Sequence, residues 1–493
     1  MDRGKIILCV FLILGLYQLK AQKAVVKTND LKVYMHYMPW FETPETIGQW
    51  GWHWKMNNKN PNKIDPATGE REIASHYYPL IGPYASRDKD VIEYHLLLMK
   101  LSGIDGVLIN WYGVQGSNGD INDLLKSSDS IVSSVDDFGM QFGVIMEDRF
   151  SRSIDDVKAN MTYLKNNYFN KPEYIRHGED QNPLVGIFGP ITFSKPENWA
   201  EIMPSAGEEL EFLTLWYESG EAGTYGDGEY SWVYQDGSNH INHLQNFYTN
   251  KASQLKTVMG SAYPGFNDFY KQGAAGAGYF YIPHNMGATL DQTLAKATEH
   301  KSKMDMLQLV TWNDFGEGTM FEPTKETGFD YLKKVQKFTG VQYGEEELKL
   351  VYKLYKLRKQ HKEDGAIQQQ LNLASDHLNN LLLTEAKAIL DNYEVEEEEP
   401  TGFLDNELTR SPLQIYPNPA KENQVRLELG KIMKSPNTLS LIDISGKELI
   451  RKDYPAGISN INLSLENIKN GIYLIHVRSS TYYAIQRFNL LRN

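Results

Sequence analysis

The sequence predicts an α/β chain built as a (β/α)8 barrel, followed by an αα-hairpin and a small C-terminal β-sandwich. Three observations carry this. Between Leu31 and Gly340, short β-rich runs alternate with stretches of helical period in eight successive units, and such alternation produces a parallel sheet covered by helices. All nine Trp lie between Trp40 and Trp312, so one segment holds the flat apolar surfaces suited to a large core and to ring stacking. Beyond Leu413 the hydrophobic period drops to two, and Gly- and Asn-containing turns separate the runs. A doubly wound open sheet is the rival for the first segment.

Residues 1–22 read as a secretory signal peptide. Arg3 and Lys5 precede an apolar run from Ile6 to Leu16, too short to span a bilayer, and Ala21 offers a small residue for cleavage. Removing it takes away Cys9, the only cysteine, which excludes disulfides, thiol nucleophiles and thiolate metal sites from the exported chain. The formal charge is -13, from 50 Lys+Arg against 63 Asp+Glu. That balance argues against nucleic acid as a partner, because phosphate recognition needs a dense basic face.

The barrel is expected over residues 23–340. Its strand candidates are Val33–Met38, Gly106–Trp111, Phe142–Met146, Leu184–Phe188, Phe212–Trp216, a weak sixth at Trp232–Tyr234, Val258–Ala262 and Met306–Thr311. Helices are expected over Asp88–Leu101, ending at Gly103, over Ile121–Phe138, ending at Gly139, and over Ile154–Tyr168. Residues 341–393 then show helical period in two runs, Leu348–His361 and Ile367–Leu390. Residues 394–412 begin with Glu394–Pro400, a charge run with no capacity to build a core, and read as an acidic linker. Residues 413–493 are the sandwich.

Chemistry should gather at the C-terminal ends of barrel strands. There the last strand runs into Trp312, Asn313, Asp314 and, three residues on, Glu317. Two carboxyls in one cleft with different surroundings can divide the roles of acid and base, which is what cleavage of a glycosidic bond needs. The bland alternative is an acidic turn. Glu147 ends the third strand, with an ion pair to Arg149 as its alternative role. His36, Tyr37, Trp40, His53 and Trp54 crowd the first strand and its loop, and Trp111 and Tyr112 end the second. These residues, with Trp312 and Asn313, are candidates for stacking on sugar rings and bonding their hydroxyls. His240 and His243 have no carboxylate pattern beside them, and Gly273–Gly278 follows no dinucleotide-type strand. No cofactor and no metal is expected, and the chain is expected to act as a monomer.

Three stretches together resemble the glycoside hydrolase family 99 and family 71 group of endo-acting α-glycosidases: YMHYMPWFETPE with WHW, SHYYPLIGPYASRDKDVIEYHLLLMKLSGIDGVLINWYG, and VTWNDFGEGTMFEP. The resemblance covers roughly Lys32–Phe338. It implies a (β/α)8 barrel with Asp314 and Glu317 as the catalytic pair and Glu147 as a sugar-contacting carboxylate. One departure matters: the family 99 pattern carries Glu where this chain has Asp314, whereas family 71 has Asp in a similar context. In an α-mannoside the 2-hydroxyl is trans to the leaving group and can displace it once deprotonated. In an α-glucoside it is cis, so water must attack, across a carboxyl gap of about 6.5–9.5 Å. The expectation is therefore a secreted endo-acting glycoside hydrolase on α-mannan or α-1,3-glucan. A non-catalytic glycan-capture protein is the alternative from another class, and a uronic acid lyase is the weaker third.

The tail resembles the sorting domain of the type IX secretion system, through Ile415–Pro419, Leu441–Gly446, Gly471–Val477 and Gln486–Leu490. The resemblance implies the type IX machinery as a partner and a location at the cell surface or in the medium. The absence of Trp from the tail speaks against a plain carbohydrate-binding sandwich.

Overall fold

The computed structural model describes residues 24–66, 68–396, 413–429, 433, 436–443, 448–479 and 483–492. The expected signal peptide and the acidic linker beyond Glu396 lie outside the described residues. The chain divides into two units, one holding Ile73–Glu396 with the segment before Asn60, the other holding Asn60–Glu72 and the segment from Glu397 on.

Eight parallel strands close the barrel: β1 (Lys32–Tyr37), β2 (Gly106–Trp111), β3 (Gln141–Met146), β4 (Asn182–Ile187), β5 (Glu211–Leu215), β6 (Gly228–Tyr230), β7 (Thr257–Ala262) and β8 (Met306–Leu309). Lys32 sits beside Met306 where β1 meets β8, and Val144 beside Val185 where β3 meets β4. Every residue of β2 and β7 is buried. Such strands are covered on one face by the barrel interior and on the other by helices, which is why they read as unbroken apolar runs. The outer helices include α1 (Lys89–Leu101), α2 (Ile121–Val132), α3 (Ile154–Asn167), α4 (Pro196–Ile202), α5 (His240–Asn246), α6 (Ala288–Glu299) and α7 (Asp330–Thr339). Asp88 caps α1, its carboxylate accepting from the amide of Asp90.

Two expectations for the barrel need correction. The sixth strand is Gly228–Tyr230, not Trp232–Tyr234. Its Gly-Glu-Tyr sequence hides it, because Glu229 is fully buried yet satisfied by the amides of Tyr217 and Ser219 and by Lys251. A Cβ on Gly228 would come within 1.9 Å of the Thr257 carbonyl oxygen, so the strand starts where only glycine fits. The helix from Ile121 also stops at Val132 rather than Phe138, and resumes as a separate 3-10 turn over Asp136–Phe138.

After the barrel come three helices rather than two: α8 (Glu345–Gln360), α9 (Gly365–Asn379) and α10 (Leu383–Leu390). Leu381 adopts φ +60 between the last two, although neither Gly nor Pro marks the break in sequence. The set packs on α1. Arg358 forms an ion pair with Glu93, and Lys359 reaches Asp88 and Asp90, each at 2.7 Å.

The second unit contains two antiparallel sheets. One orders Gln414–Tyr416, Gln424–Glu428 and Asn460–Ser464. The other orders Glu448–Tyr454, Asn437–Asp443, Gly471–Ser479 and Tyr483–Leu490. Leu427, Leu439, Leu441, Leu463, Ile475 and Phe488 fill their core. Glu448–Tyr454 was not expected as a strand. It is a sheet edge with no buried residue, so it carries no apolar alternation.

Candidate active site

The chain leaves β8 in a closed turn that the sequence writes into its Thr, Asn and Gly positions. Thr311 Oγ1 accepts from the amide of Asp314 at 2.9 Å, and the amide of Thr311 donates to the Thr319 carbonyl at 3.0 Å. Gly318 has φ +67, and a Cβ there would meet the Asn267 carbonyl oxygen at 2.7 Å, so a side chain is excluded. Asn313 is fully buried and joins this turn to the end of β1. Its Oδ1 accepts from the Met38 amide at 2.9 Å, while its Nδ2 donates to the Met38 carbonyl and the Tyr84 hydroxyl, both at 3.0 Å. Asn313→Ala strands these buried groups at a cost of roughly 1–3 kcal/mol each. A lowered melting temperature together with reduced activity is the expected outcome; an unchanged melting temperature would contradict the anchoring role.

The turn aims Asp314 and Glu317 into a cleft of about 730 Å³ at the C-terminal ends of the strands, the end at which (β/α)8 barrels hold their sites. From the loop after β7, a short ribbon of Phe266–Asn267 and Tyr281–Ile282 lies against the turn. The amides of Asn267 and Phe269 donate to the carbonyls of Glu317 and Gly316, both at 2.8 Å. This brings Tyr270 over the turn, where its hydroxyl donates to Glu317 Oε1 at 3.1 Å. Gly273–Gly278 forms the tip of the same loop, with the Asn57 and Asn58 side-chain amides donating to the carbonyls of Ala274 and Gln272.

A third carboxylate, Glu147, lines the cleft from the end of β3. Its Oε1 accepts from Asn110 Nδ2 at 3.1 Å, and Arg149 lies 2.6 Å from its Oε2. The ion pair and the cleft position therefore coexist. Below lies His36, fully buried, with its ring nitrogens 3.3 Å from the side-chain oxygens of Gln308 and Asn110. Burial pushes the imidazole down to about 4, so it is neutral at physiological pH and supports Asn110 as a fixed dipole.

Burial raises both turn carboxyls. Asp314 is pushed up to about 7, by loss of solvent and by the charge of Glu147, against the pull of the Glu317 and Gly316 amides. Glu317 is raised well above the usual range by burial first and by the charge of Asp314 second, with Tyr270 and Arg149 drawing it back. Two carboxyls so close cannot easily both ionise. Both carboxyls are therefore held toward their protonated forms, Glu317 the more strongly. The arrangement can supply a proton from one group and accept one at the other.

Of the residues expected at the site, Trp40, His53, Tyr112, Glu147, Asp314 and Glu317 line the cleft. His53 stacks flat on Trp40, ring centroids 4.1 Å apart and planes at 6°. The other six do not reach it. His36 and Asn313 lie beneath, as described. Tyr37 bonds His95 at 2.7 Å, Trp54 donates to the Tyr84 carbonyl at 2.7 Å, Trp111 stacks on Tyr163, and Trp312 packs edgewise on His95. Tyr37 and Trp111 fail for one reason. Strand side chains alternate between barrel interior and helix layer, so Tyr37 faces away when His36 faces in, and Trp111 faces away when Asn110 faces in. Asn110 was legible from that parity and was missed. Tyr270 and Trp232 also line the cleft; Tyr270 sits on a loop that no periodicity marks, and Trp232 lies just past β6, in the segment expected as a strand.

Among the described residues, no group of three or more His, Cys, Asp or Glu is placed to hold a metal ion. His240 instead bonds the Tyr263 hydroxyl at 2.9 Å, and His243 stacks on Tyr234 at 3.5 Å.

The model of Glycosyl hydrolase family 99 matches residues 28–359, and that of the Secretion system C-terminal sorting domain matches residues 414–489. A glycoprotein endo-alpha-1,2-mannosidase of Xenopus laevis is 23% identical over 205 residues, 39% of this chain and 44% of the frog protein. A glycoprotein endo-alpha-1,2-mannosidase-like protein of Danio rerio is 24% identical over 339 residues, covering 61% of this chain and 73% of the fish protein. The chain thus spans less than half the length of the frog relative. The solved GH99 endo-alpha-mannosidase of Bacteroides thetaiotaomicron shares the fold, with a TM-score of 0.50 at 20% identity over 62% of this chain and 95% of that one.

Proposed function

Because the chain belongs to glycosyl hydrolase family 99 and ends in a type IX secretion sorting domain, which directs it to the cell surface or the medium, we propose that it is an endo-acting glycoside hydrolase that cuts internal α-linkages of an extracellular polysaccharide. The observation that carries this reading is that buried Asp314 and half-buried Glu317 together line an aromatic-walled cleft at the C-terminal face of the barrel, where both carboxyls are raised. Glu317 protonates the departing glycosidic oxygen. Asp314 is the base. Glu147, held by Asn110 and Arg149, bonds a sugar hydroxyl, and Trp40 with His53 offers a face for a ring.

α-Mannan is the first substrate, because the named relatives act on α-mannosides and Asp314 can take the proton of a trans 2-hydroxyl. One observation favours α-1,3-glucan as the second reading. Asp314 is one methylene shorter than the family's Glu, and its Oδ1 is tied back by the amide of Glu317 at 2.9 Å, which leaves space for an attacking water. Incubation with yeast α-mannan and with α-1,3-glucan, followed by assay of new reducing ends, tests the activity. The first-formed anomer, read by NMR, separates the chemistries: retention for attack through the 2-hydroxyl, inversion for water. Binding without product from either polymer would turn the reading to glycan capture.

The two raised carboxyls also set a pH profile. kcat/KM should rise through about pH 7 as Asp314 ionises and fall at higher pH as Glu317 loses its proton. The Tyr270 hydroxyl stabilises charge on Glu317, so Tyr270→Phe should move the alkaline limb to higher pH and leave the acid limb in place. A displaced acid limb alone would contradict this assignment.

A further inference from the structure

The loop after β7 carries two tyrosines on one scaffold. Asp268 holds both: its Oδ1 accepts from the amide of Tyr270 at 3.0 Å, and its Oδ2 from the amide of Tyr279 at 2.8 Å. Gly278, at φ +79, makes the turn into Tyr279, and a Cβ there would stand 3.2 Å from Asp268 Oδ1. On the other side of Tyr279, Phe280 stacks on Phe266, with ring centroids 4.2 Å apart and planes at 22°. The backbone around Tyr279 is thus tied down at both ends, while its ring is 68% exposed and lines the cleft. That ring meets Tyr270 edge-on, centroids 5.5 Å apart and planes at 86°, and the Tyr270 hydroxyl donates to Glu317. Tyr279 therefore stands one ring further out from Glu317. An exposed ring held on a cleft wall keeps apolar area for a ligand to cover, and a backbone already ordered lowers the entropy that the ligand must offset.

We propose that Tyr279 is a specificity-determining residue on the leaving-group side of the cleft, its exposed ring stacking on a sugar of the departing part of the chain. The inference rests on the reading of Glu317 as the acid of a glycosidase. The acid stands beside the oxygen that departs, so the wall beyond it receives the released portion rather than the sugar whose anomeric carbon reacts. A pyranose ring presents a face of C–H groups, and that face suits a neutral phenol ring.

The test compares two substrates in Tyr279→Ala and Tyr279→Phe. One is whichever of yeast α-mannan and α-1,3-glucan the wild type cleaves. The other is the α-fluoride of an oligosaccharide released from that polymer, whose leaving group is a single atom and covers no ring. Tyr279→Ala should raise KM on the polymer about 5- to 30-fold, from the apolar area lost to stacking. kcat should stay within about twofold, because stacking holds ground and transition states alike. On the fluoride, KM should change by less than about twofold, since nothing there reaches the ring. Tyr279→Phe keeps the ring and should stay within about twofold of the wild type on both substrates. The melting temperature should hold in both variants, as the side chain is exposed. An unchanged KM on the polymer, an equal rise on polymer and fluoride, or a loss in Tyr279→Phe as large as in Tyr279→Ala overturns the role of Tyr279 and leaves the glycosidase reading standing. A wild-type protein that cleaves neither polymer removes both.

Discussion

Glu317→Gln is expected to lower the rate of polysaccharide cleavage by about 10²- to 10⁴-fold or more, while a substrate with an activated aryl leaving group keeps most of its rate. The reason lies in what the proton is for. A sugar alkoxide leaves poorly and needs protonation as the bond breaks, whereas a nitrophenolate does not. Gln fills the same volume and still accepts the bond that the Tyr270 hydroxyl gives to Glu317 Oε1, so the turn should keep its shape and KM should change little. Parallel small losses on both substrates would remove Glu317 from the acid role. A large loss on both, with a lowered melting temperature, would make the residue structural.

Much of this was legible in sequence because it follows local periods. Seven of the eight barrel strands announce themselves as buried runs. The Asp314 and Glu317 turn stands out because two carboxyls and two glycines follow such a run directly. What stayed hidden depends on tertiary context. β6 breaks the pattern with a buried Glu229 whose partners come from a neighbouring segment and from Lys251. Tyr270 reaches Glu317 only because backbone pairing between two loops places it there. The aromatic candidates erred through parity, since Tyr37 and Trp111 share strands with His36 and Asn110 but face the helix layer. Aromatic content marked the right neighbourhood without separating the wall of the cleft from the packing behind it.

Asp314→Asn should separate function from stability in a pH-dependent way. As base, Asp314 is needed whatever the leaving group, so this variant should lose about 10²- to 10⁴-fold on both the polymer and the activated substrate, unlike Glu317→Gln. Stability should move the other way. Burial raises the folded carboxyl to about 7, against an unfolded value of about 3.9. Below pH 4 the group is protonated in both states and contributes nothing. Between pH 4 and 7 the unfolded chain has already released a proton that the folded one still holds, so the wild type loses stability as pH rises. Above pH 7 the full cost of the buried charge is present, at most about 4 kcal/mol for three pKa units. Asn keeps the Oδ1 acceptor for the Glu317 amide and carries no charge. The melting temperature of Asp314→Asn should therefore match the wild type near pH 4, exceed it by a few degrees at pH 7, and hold that lead at pH 8. A constant offset across this range would mean that the carboxyl is not held against its charge, and would take with it the division of roles between the two acids.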